Sequence, residues 1–491
     1  MTAAMERATS RGLLVALTIT PFLAAALAGG ASQAFAVLYL FVAGFGLFAL
    51  SPLAWLAAAI VLLLAVPGEA QILFTGVSYL EATGGVNLHV LTYFTLGAAL
   101  CLATVRIGQA PLQSALFRRQ ALVFGLLLLI EAAIEGLRIR GVGPSNQLPD
   151  VYVGPILFYF LAVSALRSKP SVLAVRNFFL GLTALLAVFA VFEFLTGSNA
   201  YLSGSLDRQD VTWYRFFMRE ASSGEPYRVM TALGHPLTNA AYFLASFSLV
   251  VFGARAREPL KAILQLALAI LFLTAVVLTF SRAAFLLATA GVAWYVLRQG
   301  HGSVLVRVVA IGALLPVTYL FLEPILGLLA GRGFGFGDAS AGQRAATLIG
   351  LSRNFGALPL LGYGPQNMEE AAAALIGGSA GTSLEIGYVI VLLQYGVGFL
   401  ALYAYGVTIG LIGDASQPRQ ERALARFYLP PLVLLIAYFG ASNTIGIRST
   451  IHYLLFLLLA FHVAADTDQA DTCPARERRP DLAQPNPPRM P

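Results

Sequence analysis

The chain has 491 residues, 58% hydrophobic and only 11% charged, where a soluble domain carries about 25% charged residues. With a mean hydropathy of +0.78, most of it has lipid as its solvent, and a string of soluble domains is excluded. The net charge of +7 is not gathered on a soluble face, against a nucleic-acid partner; two cysteines, Cys101 and Cys473, make no disulfide framework, and no Cys/His cluster has metal-ligand spacing.

A helix needs about 20 mostly apolar residues to cross a bilayer. On that basis the sequence predicts an all-α polytopic membrane protein with about fourteen transmembrane helices. They lie near 12–29, 33–50, 53–67, 89–105, 121–137, 153–167, 177–195, 236–253, 262–279, 283–298, 308–322, 386–412, 428–441 and 449–465. Runs that are short or interrupted by Pro21, Pro316 or Pro430-Pro431 allow a count of twelve or thirteen. The first run follows Arg7 and Arg11 and precedes Ala34-Phe35-Ala36; its length reads as a signal anchor rather than a cleaved peptide. Longer connections fall at 68–88, 196–235 and 323–385. The last is too long to be structureless in a compact protein, and short interfacial helices are expected at 342–354 and 367–375. The polar, Pro/Arg-rich tail after Asp466 reads as disordered. Four regions result: N-terminal helices (1–227), a core with the long loop (228–412), the last two spans (413–466) and the tail (467–491).

Orientation follows from charge. One set of alternate connections holds 20 of the 31 Lys and Arg residues and 9 of the 24 Asp and Glu residues, a balance of +11; the other set balances at −4. Cytoplasmic loops carry the basic excess, so both termini are expected in the cytoplasm and the long loop outside it.

Most polar residues in such a chain snorkel or cap helices. Asp466-Thr467-Asp468 matches a metal-using sugar-transferase pattern, but it opens the tail with no fold around it. The glycine run 331–337 lacks the lysine of a phosphate loop. Glu131, Glu135 and Arg138 have the spacing of an intrahelical ion pair. Four arginines differ: Arg228, Arg282, Arg344 and Arg448 all fall where a span meets the predicted outer side, against the topological bias. Arg282 interrupts two apolar runs by only a few residues. Guanidinium is always charged and presents a planar fork to phosphate oxygens, so several together could hold a diphosphate at the membrane surface.

Four elements in order resemble the O-antigen ligase and Wzy-type O-antigen (exopolysaccharide) polymerase superfamily. They are Arg228 followed by Gly234-His235-Pro236, Asn239 and Tyr242; Ser281-Arg282 between two spans; Gly342-Gln343-Arg344 followed by Pro359-Leu360-Leu361-Gly362-Tyr363-Gly364; and Glu385, Tyr388 and Gly396-Val397-Gly398. The resemblance covers about 228–412, and the first 226 residues add only a compatible span count. The chain departs from the ligases where they place a histidine, near Glu385.

The resemblance implies a bacterial inner-membrane glycosyltransferase of surface-polysaccharide biosynthesis. It would use undecaprenyl-diphosphate-linked oligosaccharide at the periplasmic face, with the lipid bilayer and a chain-length regulator as partners and no nucleic acid. It also implies roles: Glu385, Arg282 and Arg344 catalytic, with Glu385 the general base and His235 second choice, and Arg228, His235, Arg448 and Tyr388 binding substrate. Because the donor carries its own leaving group, neither cofactor nor metal is expected. A lipid-linked oligosaccharide flippase is the alternative, and a non-catalytic membrane partner of a secretion complex is a third reading. The flippase predicts ionisable residues near mid-membrane and symmetric halves.

Overall fold

In the computed structural model the described residues are 33–66, 88–105, 115–138, 148–201, 227–253, 258–299, 339–358, 360–364, 386–412, 427–442 and 449–467, with Val15 and Ala373 besides. Among them there is no strand. The helices are α1 (Gln33–Leu50), α2 (Pro52–Ala65), α3 (Val90–Thr104), α4 (Ala115–Arg138), α5 (Gly154–Ala165, entered through a π turn at Leu148–Val153), α6 (Lys169–Thr196) and α7 (Pro236–Val251). There follow α8 (Pro259–Leu278), α9 (Arg282–Gln299), α10 (Ala339–Asn354), α11 (Gly387–Ile412), α12 (Leu429–Gly440) and α13 (Ser449–Thr467).

Twelve of the fourteen predicted spans coincide with helices, and the short helix predicted at 342–354 falls within α10. The spans at 12–29 and 308–322, the helix at 367–375 and the tail lie outside the described residues, apart from Val15, Ala373 and Thr467, the last residue of α13. Four helical stretches are long and apolar enough to cross a bilayer: Leu148–Ala165, Lys169–Thr196, Pro259–Leu278 and Gly387–Ile412. At 1.5 Å per residue, the twelve residues of α12 reach about 18 Å, short of a hydrocarbon core of about 30 Å.

The helix starts follow a common rule. α2, α5, α6, α7, α8 and α12 each carry proline in the first two positions, where its missing N–H is no loss. Ser51 caps α2, His89 caps α3, and Ser168 forms a reciprocal capping box with Ser171 on α6. Each cap satisfies a donor that lipid would leave unpaired.

Helix α13 is the centre of the molecule, buried from Ile451 to Ala465, and it packs on α5, α11 and α12. In contrast, α6 exposes Leu185, Val188, Phe192 and Leu195, and α8 exposes Leu260, Ile263, Leu264 and Ile270. Apolar stripes of this kind suit a lipid-facing perimeter. Small residues set the closest contact: a Cβ added to Gly97 would lie 2.0 Å from the Phe41 carbonyl oxygen, and one on Gly44 would lie 2.0 Å from that of Phe94. α1 and α3 therefore touch backbone to backbone, as small-residue packing in membranes allows.

Helix α11 is broken. Gly396 has φ +87°, and the Leu360–Gly364 loop docks at the break. Tyr363 N donates to Leu393 O at 2.7 Å and Gly364 N to Gln394 O at 2.9 Å. Irregular backbone survives inside such a protein where protein groups satisfy it.

Candidate functional site

The polar residues gather where α6 and α8 end and α7, α9, α11 and α13 begin. Tyr227–Met230, outside any helix, and the turn residue Thr231 form a strap at this end. Val229 N donates to Leu278 O at 3.3 Å and the Arg228 Nε to Thr279 O at 3.3 Å. The Arg228 strap thus lies against the turn that carries Ser281-Arg282, about fifty residues later in sequence. Arg228 is half-buried and Arg282 exposed.

Two residues other than glycine have positive φ among the described residues: Thr231 at +43° and Phe280 at +51°. The first ends the strap and the second stands two residues before Arg282. Left-handed backbone at such residues costs about 1–3 kcal/mol each and concentrates at functional sites. Thr231 is held by its hydroxyl, which donates to Asn239 Oδ1 at 2.5 Å, while Asn239 Nδ2 donates to Met230 O and to His235 O. Asn239, part of the element read from the sequence, thereby staples the strap to the first turn of α7.

His235 caps α7: its Nδ1 accepts from Leu237 N at 3.1 Å, and the ring is buried. That lone pair is therefore committed to the helix, which weakens His235 as a base. Tyr388 donates to Ile436 O, and Gly387 N donates to Ser442 O at 2.8 Å, so the start of α11 is tied to the end of α12. From α12, Tyr438 donates to Leu237 O at 3.0 Å and lies 3.4 Å from Ser281 Oγ. Through Tyr438, the Arg228, His235, Arg282 and Tyr388 elements form one contiguous end of the bundle.

Helix α10 joins this end indirectly. Leu351, Leu358 and Tyr363 pack on Ile386, Val389, Ile390 and Leu393 of the first half of α11. Arg344 lies in α10, but its side chain is outside the described residues, as are Glu385 and Arg448 entirely. Glu131 is buried in α4, while the Glu135 and Arg138 side chains lie outside the described residues.

Sequence reasoning passed over Glu193, Tyr227, Asn199 and Tyr438. Glu193 left a signal: a lone carboxylate in the apolar run Phe192-Glu193-Phe194. It accepts from Tyr227 Oη at 2.7 Å, Met230 N at 2.9 Å and Thr231 N at 2.8 Å. A second polar knot joins the same end. Asp150 accepts from His89 N and Thr92 Oγ1, both at 2.7 Å, and Thr92 reaches Tyr453 at 2.9 Å. Cations mark the opposite helix ends: Arg118 and Arg119 in the first turns of α4, Arg167 after α5, and Lys169 and Arg176 in α6.

No family model, curated protein or solved structure matches the chain.

Proposed function

We propose that this membrane protein is a metal-independent glycosyltransferase of the bacterial inner membrane. It polymerises or transfers polyprenyl-diphosphate-linked oligosaccharide at the periplasmic face, as an O-antigen (exopolysaccharide) polymerase or ligase does. The observation that carries this reading is the contact between the Arg228 strap and the turn bearing Arg282, with strained backbone at Thr231 and Phe280 on either side. An acceptor hydroxyl oxygen attacks the anomeric carbon, and the bond to diphosphate breaks with its electron pair on the leaving oxygen. The hydroxyl proton passes to a base, for which Glu385 is proposed. Arg228, Arg282 and Arg344 stabilise the charge on the departing diphosphate. One well-placed donor in a low-dielectric site is worth about 3–4 kcal/mol of barrier.

The test is turnover of purified full-length protein on a polyprenyl-diphosphate-linked oligosaccharide. Arg282→Lys keeps the charge but loses the bidentate fork. It is expected to lower turnover by about 10²-fold or more. Full polymer output from Arg282→Lys would remove the diphosphate clamp from this reading.

The break in α11 favours the second reading, a lipid-linked oligosaccharide flippase, because transporters build sites from discontinuous helices. Reconstituted protein that moves the intact lipid-linked oligosaccharide across a vesicle bilayer without lengthening it would decide for the flippase.

A further inference from the structure

Glu193 has no part in the chemistry just proposed, yet it organises the segment that does. It stands in the last turn of α6, where a carboxylate opposes the helix dipole, and it is fully buried. Such a group persists only if donors surround it. Its Oε1 accepts from Tyr227 Oη and Met230 N, and its Oε2 from Thr231 N. These three donors flank Arg228 in sequence on both sides. Asn199, just beyond the same helix, donates to Thr231 O at 2.9 Å. The strap's far edge meets the end of α8, where Val229 N donates to Leu278 O and the Arg228 Nε to Thr279 O. The strap is therefore clamped between the last turn of α6 and the turn that follows α8.

We propose that Glu193 is a positioning residue. By bracing residues 227–231 it fixes the direction in which Arg228 leaves the backbone, and with it the anion site; the second clause rests on the functional reading above. The bracing itself is independent of that reading.

The experiment uses full-length protein in phosphatidylcholine nanodiscs, with inorganic pyrophosphate as the probe. Glu193→Gln keeps the side-chain volume but turns one acceptor oxygen into an NH₂ that faces a donor. Deuterium exchange in peptides covering 227–231 is expected to rise about tenfold, with exchange in α7 and α8 unchanged. Pyrophosphate affinity is expected to fall about tenfold, the scale of one charge-assisted hydrogen bond. Arg228→Ala is expected to lose a similar factor, and the double variant no more than Arg228→Ala alone, because both act through one guanidinium. Unchanged exchange at 227–231 overturns the brace, whatever binding does. Losses that multiply in the double variant overturn positioning, because Glu193 then acts apart from Arg228. Faster exchange with pyrophosphate binding indifferent to Arg228→Ala overturns the anion-site clause and leaves the brace standing. If Glu193→Gln does not fold, Tyr227→Phe removes one donor to the same carboxylate. It should move exchange in the same direction by a smaller factor, and no movement there also overturns the brace.

Discussion

Thr231 and Phe280 hold left-handed backbone beside the two described arginines of the site, and neither could be found by reading the sequence. Periodicity and apolar length identify helices, but they carry no information on which residue of a turn takes positive φ. Glu385 is the reverse case, conspicuous in sequence and outside the described residues. In sequence it stands two residues before the start of α11, and a carboxylate at a helix N-terminus is worth about 0.3–1 kcal/mol through the dipole alone. A capping role and a base role separate cleanly on Glu385→Gln. As the base, its loss should lower turnover by at least about 10²-fold with donor affinity kept. As a cap, glutamine should leave activity nearly unchanged. The measurement is steady-state turnover alongside binding of the lipid-linked donor; normal polymer formation by well-expressed Glu385→Gln protein would remove Glu385 from the chemistry. His235 would then be a poor substitute, because its Nδ1 caps α7.

At the scale of elements, the docking of the Leu360–Gly364 loop on broken α11 depends on two glycines. A Cβ on Gly396 would lie 2.1 Å from Leu360 O, and one on Gly362 would lie 2.6 Å from Gln394 O; both have positive φ. Gly398 is the internal control, since its added Cβ would come no nearer than 3.8 Å to Leu360 O. Gly396 combines positive φ with ψ 175°, a region nearly closed to residues with a side chain, so Gly396→Ala is expected to cost about 1–3 kcal/mol from backbone conformation alone, with the clash in addition. It should lower the unfolding midpoint and speed deuterium exchange at 360–364, whereas Gly398→Ala should do neither. Equal behaviour of the two variants would show that the loop is not docked as described. The sequence made both glycine elements visible but not their contact, because nothing in a linear pattern pairs Gly362 with Gly396. Helix starts show a related limit. Apolar length places one span at 177–195, but α6 begins at Lys169, where Ser168 and Pro170 set the first turn. Likewise α4 already includes Ala115, Arg118 and Arg119, ahead of the span placed at 121–137. Hydropathy marks where a helix could enter lipid, whereas capping marks where the backbone starts to coil.

At the scale of the whole molecule, the sorting of charge makes orientation testable. Arg118, Arg119, Arg167 and Lys169 lie at helix ends opposite to those that carry Arg228 and Arg282. If the basic excess marks the cytoplasmic side, Arg118 and Arg422 are expected there and Arg282 and Gly335 outside; for Arg422 and Gly335 the expectation rests on the charge balance alone. The arginines of the proposed site then lie on the side where an undecaprenyl-linked donor would be used. Single cysteines at these four positions, in a background lacking Cys101 and Cys473, can be labelled on intact cells with an impermeant maleimide. Positions 282 and 335 should react, and positions 118 and 422 should react only after the membrane is opened. Labelling at 422 but not at 335 would invert the molecule. It would place the arginine-bearing end in the cytoplasm and so remove the periplasmic setting on which the proposed transfer depends. Reaction at both 118 and 282 on intact cells would instead mean that the five spans predicted between them are miscounted.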